Sequence, residues 1–120
     1  MNITIKATNH SLTEANRSLI EEKLDALRKF TNGNTTALLA FEVAESMDVV
    51  RAGGKYRAEG TLSMNGQVYR SEAIGDSLEI AVDRVRDELS RKVRSYRGRA
   101  QRLFRRGGGA IKSMLRGFRS

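Results

Sequence analysis

The sequence contains no cysteine, so disulfides, thiolate zinc sites and cysteine nucleophiles are all excluded. It also lacks an apolar run near the roughly 20 residues that a membrane-spanning helix requires. The first residues, Met1–Lys6, have no apolar segment of the kind found in secretory signals. We therefore expect a cytoplasmic protein for which a membrane is not the partner.

Catalytic groups are also scarce. The single histidine, His10, falls in a predicted turn without a positioned partner, which general-base catalysis requires. The glycine runs 53–54 and 107–109 lack the strand–loop–helix pattern of a phosphate-binding loop. Acids such as Asp83 and Asp87 lie beside helical bases and are interpreted as their ion-pair partners. The sequence therefore predicts no enzymatic activity, no metal, no cofactor and no small-molecule substrate.

The charge is unevenly distributed along the 120 residues, whose net charge is +8. Residues 91–120 contain eleven Lys or Arg and no Asp or Glu, whereas residues 1–90 carry a net charge of −3. The hydrophobic content of 39% is enough for one small core. A mildly acidic body with a basic C-terminal quarter points to a polyanionic partner, nucleic acid first and an anionic membrane second.

The hydrophobic pattern predicts six elements. They are a strand over residues 2–7, a helix from a capping position at Ser11 to Phe30, strands over 35–44, 56–64 and 68–74, and a helix from Leu78. Asn65-Gly66 is a strong two-residue hairpin signal. The order β-α-β-β-β-α predicts an α+β fold, a two-layer sandwich in which two amphipathic helices cover one face of a four-stranded sheet.

The second helix is the most periodic segment. Its apolar face is predicted to contain Leu78, Ala81, Val82, Val85, Leu89, Val93 and Tyr96. It either ends at Gly98 or continues to Arg106. We divide the chain into a domain over residues 1–99 and a basic, flexible tail over residues 100–120.

Basic side chains form a near-continuous track along this helix and its extension. They are Arg84, Arg91, Lys92, Arg94, Arg97, Arg99, Arg102, Arg105 and Arg106. Guanidinium forks suit phosphate oxygens. Only Tyr96 and Phe104 interleave aromatically, so we expect recognition of an RNA backbone rather than stacking on bases.

Lys23 is unusual because it lies within the apolar stripe of the first helix. One interpretation is a lysine whose stem covers the edge of the core while its ammonium reaches water. The other is a cation at the groove between the two helices, presented to a phosphate. Position alone does not separate them.

Several short patterns occur together, in order. They are Ile3-Thr4-Ile5, Leu12-Thr13-Glu14-Ala15, Lys23-Leu24 with Leu27 and Phe30, Asn65-Gly66, and Ala81-Val82-Asp83. Over residues 1–99 the chain resembles the ribosome hibernation promoting factor family, also known as ribosome-associated inhibitors or sigma-54 modulation proteins. Three positions depart from that family's pattern: Glu79 replaces a usual Tyr, Glu88 replaces a usual Lys, and Lys6 or Ala7 replaces a Gly common after the first strand.

The resemblance implies an architecture similar to double-stranded-RNA-binding domains. It further implies binding to the small ribosomal subunit over the messenger and transfer RNA sites, which blocks translation under stress. Small-subunit ribosomal RNA would contact Lys23, Arg91, Arg97 and Arg99, and helical geometry adds Arg84 and Arg94. The chain resembles a short-type member.

Two further hypotheses remain. The same basic track would serve a general nucleic-acid-binding protein, which salt-dependent binding to any duplex would reveal. Alternatively, the apolar positions of the tail, Ile111, Met114, Leu115 and Phe118, would serve an adaptor at a membrane surface or on a partner protein.

Overall fold

The computed structural model of the protein describes residues 1–8, 12–31, 34, 36–45 and 54–106, with side chains up to residue 99. The predictions made for Ser11, for His10 and for residues 107–120 lie outside this part of the chain. So do the side chains of Arg102, Arg105 and Arg106, although their backbone is helical.

Four strands and two principal helices form the fold. The elements are β1 (Asn2–Thr8), α1 (Glu14–Leu24), a 3-10 turn (Asp25–Leu27), α2 (Arg28–Thr31), β2 (Leu38–Ala44), β3 (Tyr56–Met64), β4 (Gln67–Gly75) and α3 (Leu78–Arg106). The sheet order is β1-β2-β3-β4, with β1 parallel to β2 and the other pairs antiparallel. The predicted α+β sandwich is confirmed.

The first helical segment is less regular than its sequence predicts. Thr13, rather than Ser11, caps α1, because its hydroxyl accepts a hydrogen bond from the Asn16 amide at 3.1 Å. Three residues of tighter 3-10 helix then separate α1 from α2. The predicted single helix ending near Phe30 is therefore three consecutive segments that end at Thr31.

A two-residue turn fixes the register of the β3–β4 hairpin. Asn65 and Gly66 have φ angles of 54° and 76°, the left-handed pair that a type I′ turn requires. Met64 therefore pairs with Gln67, and the alternation runs unbroken to Tyr56 and Gly75. The Asn65-Gly66 signal is confirmed.

The core lies between the sheet and the helices. All the predicted apolar positions of α3 from Leu78 to Val93 are buried, and Tyr96 packs half-buried against them. A glycine in β3 permits the close approach of this helix. A side-chain carbon at Gly60 would lie 3.0 Å from Val85 and 3.1 Å from Leu89. The helix and sheet are thus in contact where β3 lacks a side chain.

Helix α3 does not end at Gly98. It continues without interruption to Arg106, and the position of Gly98 has open space around it. The boundary predicted between residues 99 and 100 therefore falls inside a continuous helix. The division of the chain into a domain and a tail stays a prediction.

Replacement of Leu89 by Ala tests the core assignment. Leu89 is fully buried, so we expect its truncation to lower the free energy of unfolding by about 2–5 kcal/mol. Ile80, on the same helix but 40% exposed, is the matched control, and Ile80→Ala should cost less than half as much. Urea unfolding of both variants measures the difference, and equal losses would contradict the packing described.

Candidate nucleic-acid interface

Helix α3 is polarised in charge along its length. Its start is capped by Ser77, whose hydroxyl accepts from the Ile80 amide at 3.1 Å. All four of its acids, Glu79, Asp83, Asp87 and Glu88, lie in the first half, and residues 89–106 carry none. The second half therefore presents bases without acidic neighbours on the same helix.

Lys23 lies at the junction of α1 and α3 and is already paired. Its ammonium contacts the carboxylates of Asp83 at 2.9 Å and Glu79 at 3.1 Å, and its side chain is only 15% exposed. The hydrogen bond to Asp83, and then that to Glu79, raise the pKa of Lys23 above its ordinary value. Glu79 is thus part of an ion pair between the helices.

Two predicted RNA-binding cations are attached to the outer strand of the sheet. Arg84 Nη1 donates to the carbonyl oxygen of Ile74 at 2.6 Å. Lys92 Nζ donates to the carbonyl oxygen of Arg70 and pairs with Glu88 at 3.3 Å. We name Arg84 and Lys92 the edge cations, because Ile74 and Arg70 both belong to β4, which is an edge strand.

Arg97 secures the end of α2. Its Nη2 donates to the Phe30 carbonyl at 2.6 Å, and its guanidinium carbon lies 5.5 Å from the centre of the Phe30 ring. Carbonyls at a helix end lack intrahelical donors, so this contact satisfies one of them. Arg97 therefore connects two elements of the fold, a role that the sequence did not reveal.

Three arginines of α3 have no intramolecular partner among the described residues. Arg91, Arg94 and Arg99 are exposed, and within the described part of the chain their side chains make no hydrogen bond or ion pair. They span about 12 Å of helix axis at 1.5 Å per residue. We name Arg91, Arg94 and Arg99 the free arginines, since their donors are available to an external anion.

The acids of α3 act as ion-pair partners. Arg86 contacts Asp83 at 3.1 Å and Asp87 at 2.9 Å, and Glu88 pairs with Lys92 one turn later. Of the four helical bases predicted to pair with these carboxylates, Arg86 and Lys92 do so, whereas Arg84 and Arg91 pair with no acid in the described part of the chain. The second partner of Asp83, Lys23, lies on another helix and required the tertiary structure to find.

A cleft of about 350 Å³ separates β4 from the second half of α3. Its lining includes Arg70, Lys92, Tyr96 and Arg99. Tyr96 packs edge-on against Tyr69, with ring centres 6.0 Å apart, and burial raises the pKa of Tyr69. Arg70 contributes its carbonyl oxygen to this site, where it accepts from Lys92. Its side chain alternates with that of buried Tyr69 and is exposed on the other face of the sheet.

Two negative findings complete the description. No group of three or more His, Cys, Asp or Glu among the described residues is placed to hold a metal ion. Within the same residues, no helix is both long enough and apolar enough to span a bilayer.

The protein is a four-stranded sheet covered on one face by α1 and α3. Helix α1 is acidic, whereas the long α3 becomes basic along its length. The protein is therefore of the class of basic α+β domains. The chain belongs to the family described as Sigma 54 modulation protein / S30EA ribosomal protein, which matches residues 3–101.

Individual relatives agree with this assignment. The chain is 30% identical over 98 residues to a ribosome hibernation promotion factor of a Picosynechococcus species, covering 81% of this chain and 49% of the relative. It is 28% identical over 101 residues to the factor of that name from Staphylococcus aureus, covering 84% and 50%. This chain therefore spans about half the length of the curated relatives it matches.

A solved structure shows the same fold. The crystal structure of the Thermus thermophilus Protein Y N-terminal domain aligns with a TM-score of 0.67 and 27% identity. The alignment covers 80% of this chain and 99% of the Thermus domain.

The ion pair of Lys23 is tested by a double-mutant cycle with Asp83. Lys23→Met and Asp83→Asn should each lower the melting temperature, and the double variant should lose less than the sum because the two changes remove one contact. The raised pKa of Lys23 means that its ammonium contributes fully at neutral pH, and this contribution is lost as pH rises through the folded-state pKa. Thermal unfolding at pH 7 measures the coupling.

Asp87→Asn provides the control for this cycle. Asp87 contacts Arg86 and lies one turn beyond Asp83. Combined with Lys23→Met, it should give additive losses. Additive losses with Asp83→Asn as well would show that the contact between Lys23 and Asp83 contributes nothing to stability.

Proposed function

We propose that this protein silences translation by binding the small ribosomal subunit over the messenger and transfer RNA sites. The observation that carries the proposal is the set of free arginines on the acid-free half of α3. The names of the relatives, ribosome hibernation promotion factors, support a ribosomal partner. No bond is made or broken in this mechanism, because occupancy alone excludes the competing RNAs.

Binding through the phosphate backbone is the mode that the site favours. Guanidinium groups donate two parallel hydrogen bonds to a phosphate, and the free arginines have all their donors available. Tyr96 is half-buried against Tyr69, so it is not an open platform for a base. Recognition should therefore follow the shape and charge of ribosomal RNA and weaken strongly with salt.

The remaining predicted RNA contacts differ in the intramolecular hydrogen bonds and ion pairs that RNA binding would break. Arg84 and Arg97 each use a terminal nitrogen on a main-chain carbonyl and retain other N–H donors for a phosphate. The Lys92 ammonium contacts both the Glu88 carboxylate and the carbonyl oxygen of Arg70. Lys23 would have to leave two carboxylates, so we place it last among the proposed RNA contacts.

Sedimentation through sucrose gradients with purified ribosomal subunits tests the proposal. The wild-type protein should travel with the small subunit at moderate salt and inhibit translation in vitro. Replacement of all three free arginines by Ala should abolish co-sedimentation without unfolding the domain, because exposed charges contribute little to stability. If residual binding is measurable, the slope of log affinity against log salt should fall by about 2–3.

The matched control removes three positive charges elsewhere. Lys6, Lys29 and Lys55 are exposed and lie outside α3, so their combined replacement by Ala should leave ribosome binding nearly unchanged. Equal losses in both triple variants would show that net charge, and not the free arginines, determines binding. Equal affinity of the wild-type protein for both subunits and for free duplex RNA would instead favour a general nucleic-acid-binding protein.

A further inference from the structure

The outer edge of β4 is a candidate surface for strand pairing. Strand β4 is nine residues long, and no described strand pairs with its outer side. The Asn65-Gly66 turn makes Met64–Gln67 a hydrogen-bonded pair, and such pairs alternate along an antiparallel ladder. The N–H and C=O groups of Val68, Arg70, Glu72 and Ile74 consequently point outward.

The edge cations occupy two of these outward carbonyls. Arg84 donates to Ile74 and Lys92 to Arg70, and both donors come from α3 rather than from the sheet. Exposed strand edges template pairing with another chain, and covering them with long charged side chains is a known protection. Arg84 and Lys92 therefore cover the groups that a new strand would need.

The edge beneath these cations is complementary to itself, and Glu72, its one acid, also accepts two hydrogen bonds from Arg57 of the same chain at 2.8 Å. If two copies of β4 pair antiparallel about Ser71, Arg70 lies opposite Glu72 of the second copy, and Val68 lies opposite Ile74. Opposite charges and apolar pairs directly across a ladder are stabilising. Centring the pairing on Arg70 or on Glu72 would place like charges opposite each other, which is destabilising.

We propose that the β4 edge is able to pair with the β4 edge of a second copy of this chain, and that the edge cations Arg84 and Lys92 prevent this pairing in the wild-type protein. Pairing requires the Arg70 and Ile74 carbonyls to accept from the amides of the second copy's Glu72 and Val68. Those carbonyls accept from the edge cations in the single chain. Self-pairing and the edge-cation contacts are therefore mutually exclusive. The inference does not depend on ribosome binding.

Sedimentation equilibrium without RNA tests the inference on the full chain. The wild-type protein should keep the mass of a single chain, 13.4 kDa, from micromolar to millimolar concentration. The variant Arg84→Ala/Lys92→Ala should approach twice that mass as concentration rises. Both positions are exposed and helical, where Ala is well tolerated, and circular dichroism verifies the fold.

Two further variants separate edge pairing from a general effect of lower charge. Arg91→Ala/Arg94→Ala removes the same charge from the same helix without touching the edge and should remain a single chain. Adding Val68→Lys to the edge-cation variant places a charge opposite Ile74 and should restore the single-chain mass. Val68 is 55% exposed, so this change leaves the core intact.

Amide hydrogen exchange locates the contact. In the self-paired variant the outward amides of Val68, Arg70, Glu72 and Ile74 should become protected. The inference is overturned if the edge-cation variant keeps the mass of one chain, if Val68→Lys does not reverse its association, or if these amides stay unprotected.

Discussion

The burial of the apolar face of α3 against β3 and β4 is the constraint on which the rest of the structure depends. Val85 and Leu89 approach the sheet closely over Gly60, and this contact fixes both the height and the rotation of the helix. Once that face is buried, the positions of every charged residue around α3 follow from helical geometry. The free arginines point to solvent because they lie outside the buried apolar face of α3.

The predicted RNA-binding cations whose side chains are described have three different roles in the fold. Lys23 joins α1 to α3 through Asp83 and Glu79, and Arg97 joins α3 to the end of α2. The edge cations cover carbonyls of β4. The free arginines make no such contact within the described residues, which is why they lead the proposed interface. A positive charge in the sequence thus does not by itself identify a phosphate ligand.

Two acids of α3, Glu79 and Glu88, are ion-pair partners of predicted RNA-binding lysines. Glu79 contributes to the pair with Lys23, and Glu88 pairs with Lys92. Each acid therefore engages a cation that the sequence assigned to RNA. The free arginines lead the proposed RNA contact because they lie in the C-terminal half of α3, where residues 89–106 include no acid that would compete with a phosphate.

The strands, the hairpin turn and the buried face of α3 are predictable from the sequence, because period-2 and period-3.6 patterns and an Asn-Gly turn are local signals. The 3-10 turn after α1 and the cap at Thr13 are not predictable in this way, because several local conformations compete there. The contacts of Lys23 with Asp83, of Arg97 with the Phe30 carbonyl and of Lys92 with the Arg70 carbonyl arise only when the elements pack together. These contacts join residues 22 to 67 positions apart, and their partners are set by the packing of whole elements.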